Sequence, residues 1–351
     1  MRGAVYQAVM LFTACATVIG FSNKTWAWGE TGHEAVALIA EQNMTPQALQ
    51  QVQAILGDMT MLQASIWPDI VKHTSGWQHT AAYHFADTES GQSYFDDFNR
   101  PNFIQNGDVI RALVKAEDIL RDSSTTTTQK KYALAFMIHF VGDLHQPLHE
   151  GHPEDLGGNK IRATFFGKRT NLHAIWDYGM IDQVVQAASV NVDKTFGFER
   201  FLSFFQSPTL QDVQNFVGQM RTPSPVEIAA WQDSYILDWS KDSTADRASI
   251  YSTWNGDSEA YQNQWASYVN EKILRGGYRL AGWLDAIMTG QPFQQQKAQD
   301  LRQQISQIVG GSNPIVLEPS YGAADNTTFN DPCAHDDDAQ LAQSNFNAPG
   351  L

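Results

Sequence analysis

Apolar residues recur at helical spacing along most of this 351-residue chain. A surface helix buries one face, so apolar side chains at every third or fourth position indicate an amphipathic helix. Residues 127–146 are richer in apolar positions, as is typical of a buried central helix, and Pro147 should end or kink it. The pattern predicts helices over residues 34–42, 108–121, 127–146, 209–220, 226–239 and 261–288.

One stretch has the pattern of β-structure instead. Residues 160–172 contain β-forming residues on both sides of Gly167, which indicates a small hairpin. From about Gly310 the chain turns polar, with Pro, Gly, Asn and Asp throughout, which favours a loosely packed tail. We therefore expect one mainly α domain over residues 28–308 and a polar tail over residues 309–351.

The first 27 residues have the pattern of an export signal. Arg2 precedes an apolar run over residues 4–21, and small residues occupy the cleavage-determining positions that end at Ala27. A membrane anchor is the alternative, but the run is short and is interrupted by Gln7. We expect cleavage after Ala27 and a secreted or periplasmic protein with no stable membrane association.

Composition narrows the choice of function. A net charge of −15 and a pI near 4.9 argue against a protein that binds nucleic acid through a basic face. A phosphate-bearing substrate would then have to be attracted by bound metal cations. Of the 2 Cys, only Cys333 would survive cleavage, so an intramolecular disulfide is excluded. We expect a monomer whose stability depends on a large core or on metal.

Two His-x-x-x-Asp pairs carry the candidate chemistry. They are His139/Asp143 and His173/Asp177, and His149 lies between them. Residues four apart on a helix share a face, so each pair offers a ring nitrogen and a carboxylate oxygen to one point in space. Zn²⁺ accepts this mixture of ligands. Two such pairs with a further histidine, in a chain with 10 His, indicate a metal site.

Four more residues are candidate ligands. Cleavage after residue 27 would make Trp28 the N-terminus, where the α-amine and carbonyl can chelate a cation, and His33 could close over the same ion. Asp69 and His84 lie between the first and central helices. Taken singly, three of the four have a structural explanation: Trp28 as a buried aromatic, Asp69 as a helix N-cap, His84 as a core histidine.

Together these motifs resemble the S1/P1 nucleases, secreted trinuclear zinc nucleases that share a mainly helical fold with zinc-dependent phospholipase C. The resemblance covers most of residues 28–300 and fills all nine ligand positions of the family. It implies a single-domain phospholipase C/P1 nuclease-like fold with a small β-hairpin. The motifs are Trp28-Gly-x-x-Gly-His33, Trp67-x-Asp69, His84-Phe85-x-Asp87, His139-x-x-x-Asp143-x-His-Gln-Pro-Leu-His149, Gly157-Gly-Asn159 and His173-x-x-x-Asp177.

The resemblance implies three Zn²⁺ ions. His145 would point nearly opposite Asp143 on a helix, so we do not expect it to be a ligand. The first ion would be held by Asp69, His84, His139 and Asp143, the second by His149, His173 and Asp177, and the third by the Trp28 amine and carbonyl, His33 and the other oxygen of Asp143.

The implied activity is hydrolysis of phosphodiester bonds in single-stranded DNA and RNA, with 5′-phosphate products and an additional 3′-nucleotidase activity. The nucleophile would be a hydroxide that bridges zinc ions. Asp69, Asp143 and Lys72 are the expected catalytic residues. Lys72 occupies a position where family members often carry arginine, which alone has a planar two-pronged geometry.

The expected substrate contacts are Phe85, Asp87 and Asn159. The resemblance implies that Phe85 stacks on a base and that Asp87 hydrogen-bonds to the edge of the base. Stacking on an aromatic ring tolerates any sequence and requires an unpaired base, which suits single-stranded nucleic acid.

Two other functions are possible from the sequence. Zinc-dependent phospholipase C has its first histidine farther from the N-terminal tryptophan and ends its ligand set with glutamate, whereas this chain has His33 and Asp177. A non-catalytic, exported metal-binding protein is the second alternative, and the complete ligand set argues against it.

Overall fold

Helices make up most of the protein, as seen in a computed structural model that describes residues 28–89, 93–100, 103–189 and 209–320. The α-helices are α1 (Gly29–Asn43), α2 (Pro46–Leu56), α3 (Met61–Val71), α4 (Phe103–Asn106), α5 (Val109–Arg121), α6 (Thr127–His145), α7 (Leu172–Ala174), α8 (Met180–Ser189), α9 (Leu210–Gly218), α10 (Pro225–Gln232), α11 (Ile236–Thr244), α12 (Arg247–Thr253), α13 (Ser258–Met288) and α14 (Gln295–Val309). Short 3₁₀ helices cover Gln78–His84, Tyr94–Asn99, Pro147–Glu150 and Pro153–Asp155, and a π-helical turn covers Ile175–Gly179. The predicted mainly α fold is confirmed.

The central helix is α6. It begins at a capping box formed by Thr126 and Gln129, and every side chain from residue 133 to residue 145 is buried. It packs against α3, α5 and α13. The helix ends at His145, and Pro147 opens the following 3₁₀ helix, so the predicted buried helix and its end are both confirmed.

The predicted hairpin is also confirmed. Strands β1 (Arg162–Phe165) and β2 (Lys168–Asn171) pair antiparallel around a two-residue turn at Phe166 and Gly167, where φ is 45° and 80°. Positive φ at both central positions matches the right-handed twist of the strands, and glycine adopts it without strain. β2 leads directly into α7 and the π-helical turn.

One predicted helix is wrong in its extent. Residues 226–239 form two helices, α10 and α11, rather than one. The break follows from capping: the Tyr235 backbone N–H donates to the carboxylate of Asp238 at 3.0 Å, which starts a new helix. The helix predicted over residues 261–288 begins three residues earlier, because Asp257 caps it by accepting from the Ala260 N–H.

Two apolar side chains beyond residue 308 also pack into the core. Ile315 and Leu317 are only 3% and 1% exposed, and the Asn313 side chain donates to the Arg111 carbonyl at 2.6 Å. These two side chains are therefore not loosely packed, although they lie in the stretch of polar composition that predicted a tail. The expected signal peptide and residues 321–351 lie outside the described residues. None of the helices in the described part of the chain combines the length and apolar character needed to span a bilayer.

Candidate metal centre

Four of the expected ligands meet beside the C-terminal half of α6. His139 and Asp143 lie one helical turn apart, with 3.2 Å between Nε2 and Oδ2. His84, the last residue of a 3₁₀ helix, places Nδ1 at 3.1 Å from the same Asp143 oxygen. Asp69, on α3, places Oδ1 at 3.4 Å from His84 Nδ1 and 3.5 Å from His139 Nε2. All four side chains are buried.

The second carboxylate oxygen of Asp143 faces a different residue. Its Oδ1 lies 3.3 Å from Nε2 of His33, which α1 carries and whose ring stacks on His139 at 3.9 Å between centroids. Trp28, at the start of the same helix, is fully buried. Asp143 therefore divides its two oxygens between His33 on one side and the His84–His139 pair on the other.

A further group of expected ligands forms just after strand β2. His173 and Asp177, on α7 and the π-helical turn, approach to 3.3 Å between Nε2 and Oδ2. His149, redirected by Pro147, places Nε2 at 3.7 Å from Oδ1 of Asp177. The spacing of four residues thus brings each predicted His-x-x-x-Asp pair together in the structure.

Backbone carbonyls orient three of the histidine rings. When Nδ1–H donates to a carbonyl, the Nε2 lone pair points into the carboxylates, which is the usual arrangement of a metal-binding histidine. The three bonds are His139 to Ser65 at 2.5 Å, His149 to His84 at 2.7 Å and His173 to Gly157 at 2.7 Å.

The ligand set contains many buried polar atoms with no hydrogen-bond partner among the described residues. Leaving such an atom unsatisfied costs about 1–3 kcal/mol, so a cluster of them indicates that something else satisfies them. They are both ring nitrogens of His33, both carboxylate oxygens of Asp143, Oδ2 of Asp69, Nε2 of His84, Nε2 of His149 and Oδ2 of Asp177. Nitrogen and carboxylate oxygen in this mixture fit divalent zinc.

Three groups of these side chains bring one donor atom each to within 4.8 Å of the others. The groups are His33, Asp69 and His139; His84, His139 and Asp143; and His149, His173 and Asp177. His33 therefore also lies near Asp69 and His139, and not only beside Asp143 as the family resemblance implied.

The family model for S1/P1 nuclease matches residues 28–289, a span that contains all of these groups. The chain belongs to the S1/P1 nuclease family. It is therefore a metal-dependent hydrolase, and the family is zinc-dependent in general.

The alignments with individual relatives cover nearly the whole length of each relative. Nuclease S1 of Aspergillus oryzae is 30% identical over 287 residues, which are 79% of this chain and 97% of that protein. Nuclease P1 of Penicillium citrinum is 26% identical over 272 residues, 74% of this chain and 97% of that protein. Endonuclease 3 of Arabidopsis thaliana is 25% identical over 285 residues, 76% and 91% respectively.

Charge in the centre of this S1/P1 nuclease is arranged to favour ionised carboxylates. Burial alone would raise the pKa of Asp143, but His139 and His149 hold it well below its usual range. Burial alone would lower the pKa of His139, whereas Asp143 and Asp69 raise it to about 10. A divalent cation bound to these groups would take the place of that proton.

The other expected site residues lie close to the ligands. Lys72 is buried and donates from Nζ to Oδ1 of Asp69 at 2.8 Å. Phe85 follows His84 directly and is half-buried. Asp87 is buried, its Oδ1 has no hydrogen-bond partner among the described residues, and burial raises its pKa to about 7.

Asn159 lies in the turn before the hairpin. Its side-chain amide donates to the Leu156 carbonyl at 2.9 Å. The residue is half-buried. The roles of Lys72, Phe85, Asp87 and Asn159 toward substrate remain predictions.

Two neighbours of the ligands were missed from the sequence. Gln146 donates from Nε2 to Oδ1 of Asp177, and its own oxygen accepts from the Leu148 N–H at 2.5 Å. Gly142 lies against a ligand ring: a Cβ there would come 2.7 Å from Nδ1 of His33. Gly142 lies on α6 and Gln146 is its C-cap, and both are close in sequence to predicted ligands. This proximity is the only feature of the sequence that could have identified them.

His145 faces away from the ligands. Its Nδ1–H donates to the Val141 carbonyl at 2.6 Å, and Arg279 donates to its Nε2 at 2.8 Å.

Proposed function

We propose that this chain is an endonuclease that hydrolyses single-stranded DNA and RNA to 5′-phosphate products, acts also as a 3′-nucleotidase, and uses three Zn²⁺ ions. The observation that carries the proposal is the divided carboxylate of Asp143. One oxygen serves His84 and His139 and the other faces His33, at 3.1–3.3 Å. A carboxylate placed in this way can hold two ions close together, an arrangement that can stabilise both the attacking and the leaving oxygen of a phosphodiester.

The three ions would be assigned to residues as the resemblance implies. The packing of Trp28 supports its place beside His33, because Gly142 touches both: a Cβ at that glycine would lie 2.7 Å from His33 Nδ1 and 3.7 Å from the Trp28 ring. The proposed ligands are Asp69, His84, His139 and Asp143 for the first ion, His149, His173 and Asp177 for the second, and the Trp28 amine and carbonyl, His33 and Asp143 for the third.

Bound divalent ions supply a nucleophile by lowering the pKa of water and neutralise the negative charge of the phosphodiester. The protein's contribution is to hold its ligands rigidly. His139, His149 and His173 each donate to a backbone carbonyl, so their rings cannot rotate away. Burial of the whole group excludes bulk water and strengthens its electrostatic interactions.

Lys72 is proposed to act through charge. Its ammonium lies 2.8 Å from Asp69 at the edge of the first group, where it can offset the charge of a phosphate oxygen. Lysine acts as a point charge and lacks the two-pronged geometry of arginine. If it contacts the scissile phosphate, Lys72→Arg should change the kinetics, and unchanged kinetics would exclude an intimate contact.

Substrate recognition is proposed for the segment after His84. Phe85 would stack on a base, and the unpartnered Oδ1 of Asp87 would accept a hydrogen bond from the edge of the base. Asn159, in the turn before the hairpin, would add a polar contact. Since bases in a duplex are already stacked and paired, this mode of binding selects single strands.

The localisation proposed is secretion or export to the periplasm, with cleavage after Ala27. Only a chain cleaved there presents the α-amine of Trp28 as a ligand. N-terminal sequencing of the mature protein tests the position of the cleavage site.

The activity is tested with the processed, zinc-loaded protein on three substrates: denatured DNA, the same DNA as a duplex, and lecithin. We expect nucleotides with 5′-phosphate ends from denatured DNA, little release from the duplex, and no phosphocholine. Asp143→Asn serves as the inactive control. Release of phosphocholine without nucleotide release would establish the phospholipase alternative. Failure to cleave any phosphoester would establish the non-catalytic one.

A further inference from the structure

Residues 313–320, here called the C-terminal strap, lie beyond residues 28–289 that the family model matches. Two of their side chains are nevertheless buried in the domain. Ile315 and Leu317 are 3% and 1% exposed. The Gln129 side chain, at the start of α6, donates to the carboxylate of Glu318 at 2.8 Å. The strap is therefore bound to the central helix as well as to α5.

The strap runs along the 3₁₀ helix Gln78–His84 and the residues just before it. At one end, the Ser320 N–H donates to the Gly76 carbonyl at 2.8 Å. Near the start of the helix, Nε2 of His79 bonds to the Val316 carbonyl at 3.2 Å. The N–H of the same residue lies 3.5 Å from the hydroxyl of Tyr83, near the end of the helix. Val316 thus contacts residues near both ends of the helix.

Tyr83 is also held by packing. Its ring and the side chain of Ile315 both lie over Gly107, whose φ is +82°. A Cβ at this glycine would lie 2.3 Å from the Tyr83 ring and 2.6 Å from Cδ1 of Ile315. No side chain fits at this position, and Ile315 therefore packs against the same glycine as Tyr83, the residue that precedes His84.

The other side of the same helix faces the metal centre. His84 directs Nδ1 at Asp69 and Asp143, and its carbonyl accepts from His149 at 2.7 Å. Phe85 is fixed through its carbonyl, which accepts from the Val109 N–H at 3.2 Å. A 3₁₀ helix has poor hydrogen-bond geometry and is used in short pieces, so its position depends on what packs against it.

We infer that the C-terminal strap is a positioning element for His84 and Phe85. Through the packing of Ile315 beside Gly107 and the contacts of Val316 with His79 and Tyr83, it fixes the direction of the metal ligand and of the residue proposed to stack on a base. The inference rests on the proposed function for the roles of His84 and Phe85. Whether the packing of the strap stabilises the 3₁₀ helix can be tested independently of that proposed function.

The test compares Ile315→Ala with Ile305→Ala. Both isoleucines are buried, at 3% and 1% exposure, and both lie outside the family match, but Ile305 is on α14 and is not part of the strap. The same side-chain atoms are removed in each, so the general loss of packing is matched. Ile315→Val, which removes one methylene, is the milder variant if Ile315→Ala does not fold.

The first readout is amide hydrogen exchange in zinc-free protein, which does not depend on the proposed function. Ile315→Ala should accelerate exchange over residues 78–86, and Ile305→Ala should not. The second readout is zinc loss to a chelator, which should be about tenfold faster in Ile315→Ala, as for a disturbed outer shell. At saturating zinc, KM for a short single-stranded oligonucleotide should rise while kcat stays near the wild-type value.

Equal exchange over residues 78–86 in the two variants would overturn the inference, whatever the zinc results. Accelerated exchange with unchanged zinc loss and KM would also overturn it, because the strap would then be structural only. Wild-type protein that binds no zinc and cleaves no nucleic acid would instead refute the proposed function, and the exchange comparison would still decide whether the strap holds the helix.

Discussion

Gln146 donates a hydrogen bond from its side-chain amide to Oδ1 of Asp177. The bond joins the C-cap of α6 to the π-helical turn, and it occupies one carboxylate oxygen so that the other, Oδ2, faces His173 at 3.3 Å. Both residues are completely buried. An outer contact of this kind fixes which oxygen a metal ligand can offer.

Replacing Gln146 with Glu should weaken zinc binding at the group that contains Asp177. The new carboxylate would face the carboxylate of Asp177, while its other oxygen could still accept from the Leu148 N–H. We expect affinity for the second ion to fall about 10–100-fold, measured by competition with a chelator. Gln232→Glu, which alters a half-buried glutamine bonded to the Tyr278 carbonyl, is the control. Equal affinity in the two variants would show that Gln146 does not position Asp177.

Asp143→Asn and Asp177→Asn should differ in the number of ions lost. Asp143 directs one oxygen at His33 and the other at His84 and His139, whereas Asp177 faces only the histidines of its own group. An amide supplies one poor ligand oxygen and no charge, so Asp143→Asn should lose two ions and Asp177→Asn one. Elemental analysis of purified variants measures both. An Asp143→Asn protein that keeps its full complement of zinc and its activity would exclude a bridging role.

Phe85→Ala should weaken substrate binding without loss of zinc. Stacking of a base contributes about 1–3 kcal/mol, so kcat/KM on single-stranded DNA should fall by the corresponding factor. Phe166→Ala is the control, because Phe166 is 42% exposed at the tip of the hairpin. The stacking role is wrong if Phe85→Ala leaves kcat/KM unchanged, or if the control lowers it as much.

Glu117→Gln should destabilise the protein at neutral pH and less so in acid. Burial alone would raise the pKa of Glu117, but Arg302, at 2.8 Å, together with Tyr235 and Trp283, brings it below its ordinary 4.5. A folded-state pKa below the unfolded one stabilises the fold above the ordinary pKa, and this stabilisation disappears as the pH falls through the folded-state value. We expect a loss of about 2 kcal/mol in the free energy of unfolding at pH 7, since one charged hydrogen-bonding partner is removed.

The comparison is made by urea unfolding of wild type and variant at each pH, so that effects common to both cancel. The difference should shrink below about pH 4.5. Asp118→Asn is the control, because Asp118 shares Arg302 but is 45% exposed and should matter less. A difference that stays constant from pH 7 to pH 3 would show that the charge of Glu117 contributes nothing.

The sequence predicted the parts of the site that depend on local spacing. His139 and Asp143 fall on one face of a helix wherever four residues separate them, and the dense apolar pattern places that helix in the core. Gly167 predicted the hairpin through turn chemistry. The break between α10 and α11 was missed because it depends on a cap at Tyr235, which helical periodicity does not reveal.

Contacts between distant segments could not be predicted from the residues alone. The approach of Asp69 and His84 to α6 depends on how α3 and a 3₁₀ helix pack, and only the family resemblance indicated it. The bond from Gln146 to Asp177 and the burial of Ile315 are likewise products of the tertiary fold. Neither residue has a pattern in the sequence that distinguishes it from an ordinary glutamine or isoleucine.

The most direct test counts the zinc in protein that begins at Trp28 and compares its activity on single-stranded DNA with that of protein that retains residues 1–27. We expect three ions per processed molecule and full activity, and fewer ions with little activity in the unprocessed form. A single ion per active molecule, or full activity with the leader still attached, would contradict a three-ion centre completed by the amino terminus.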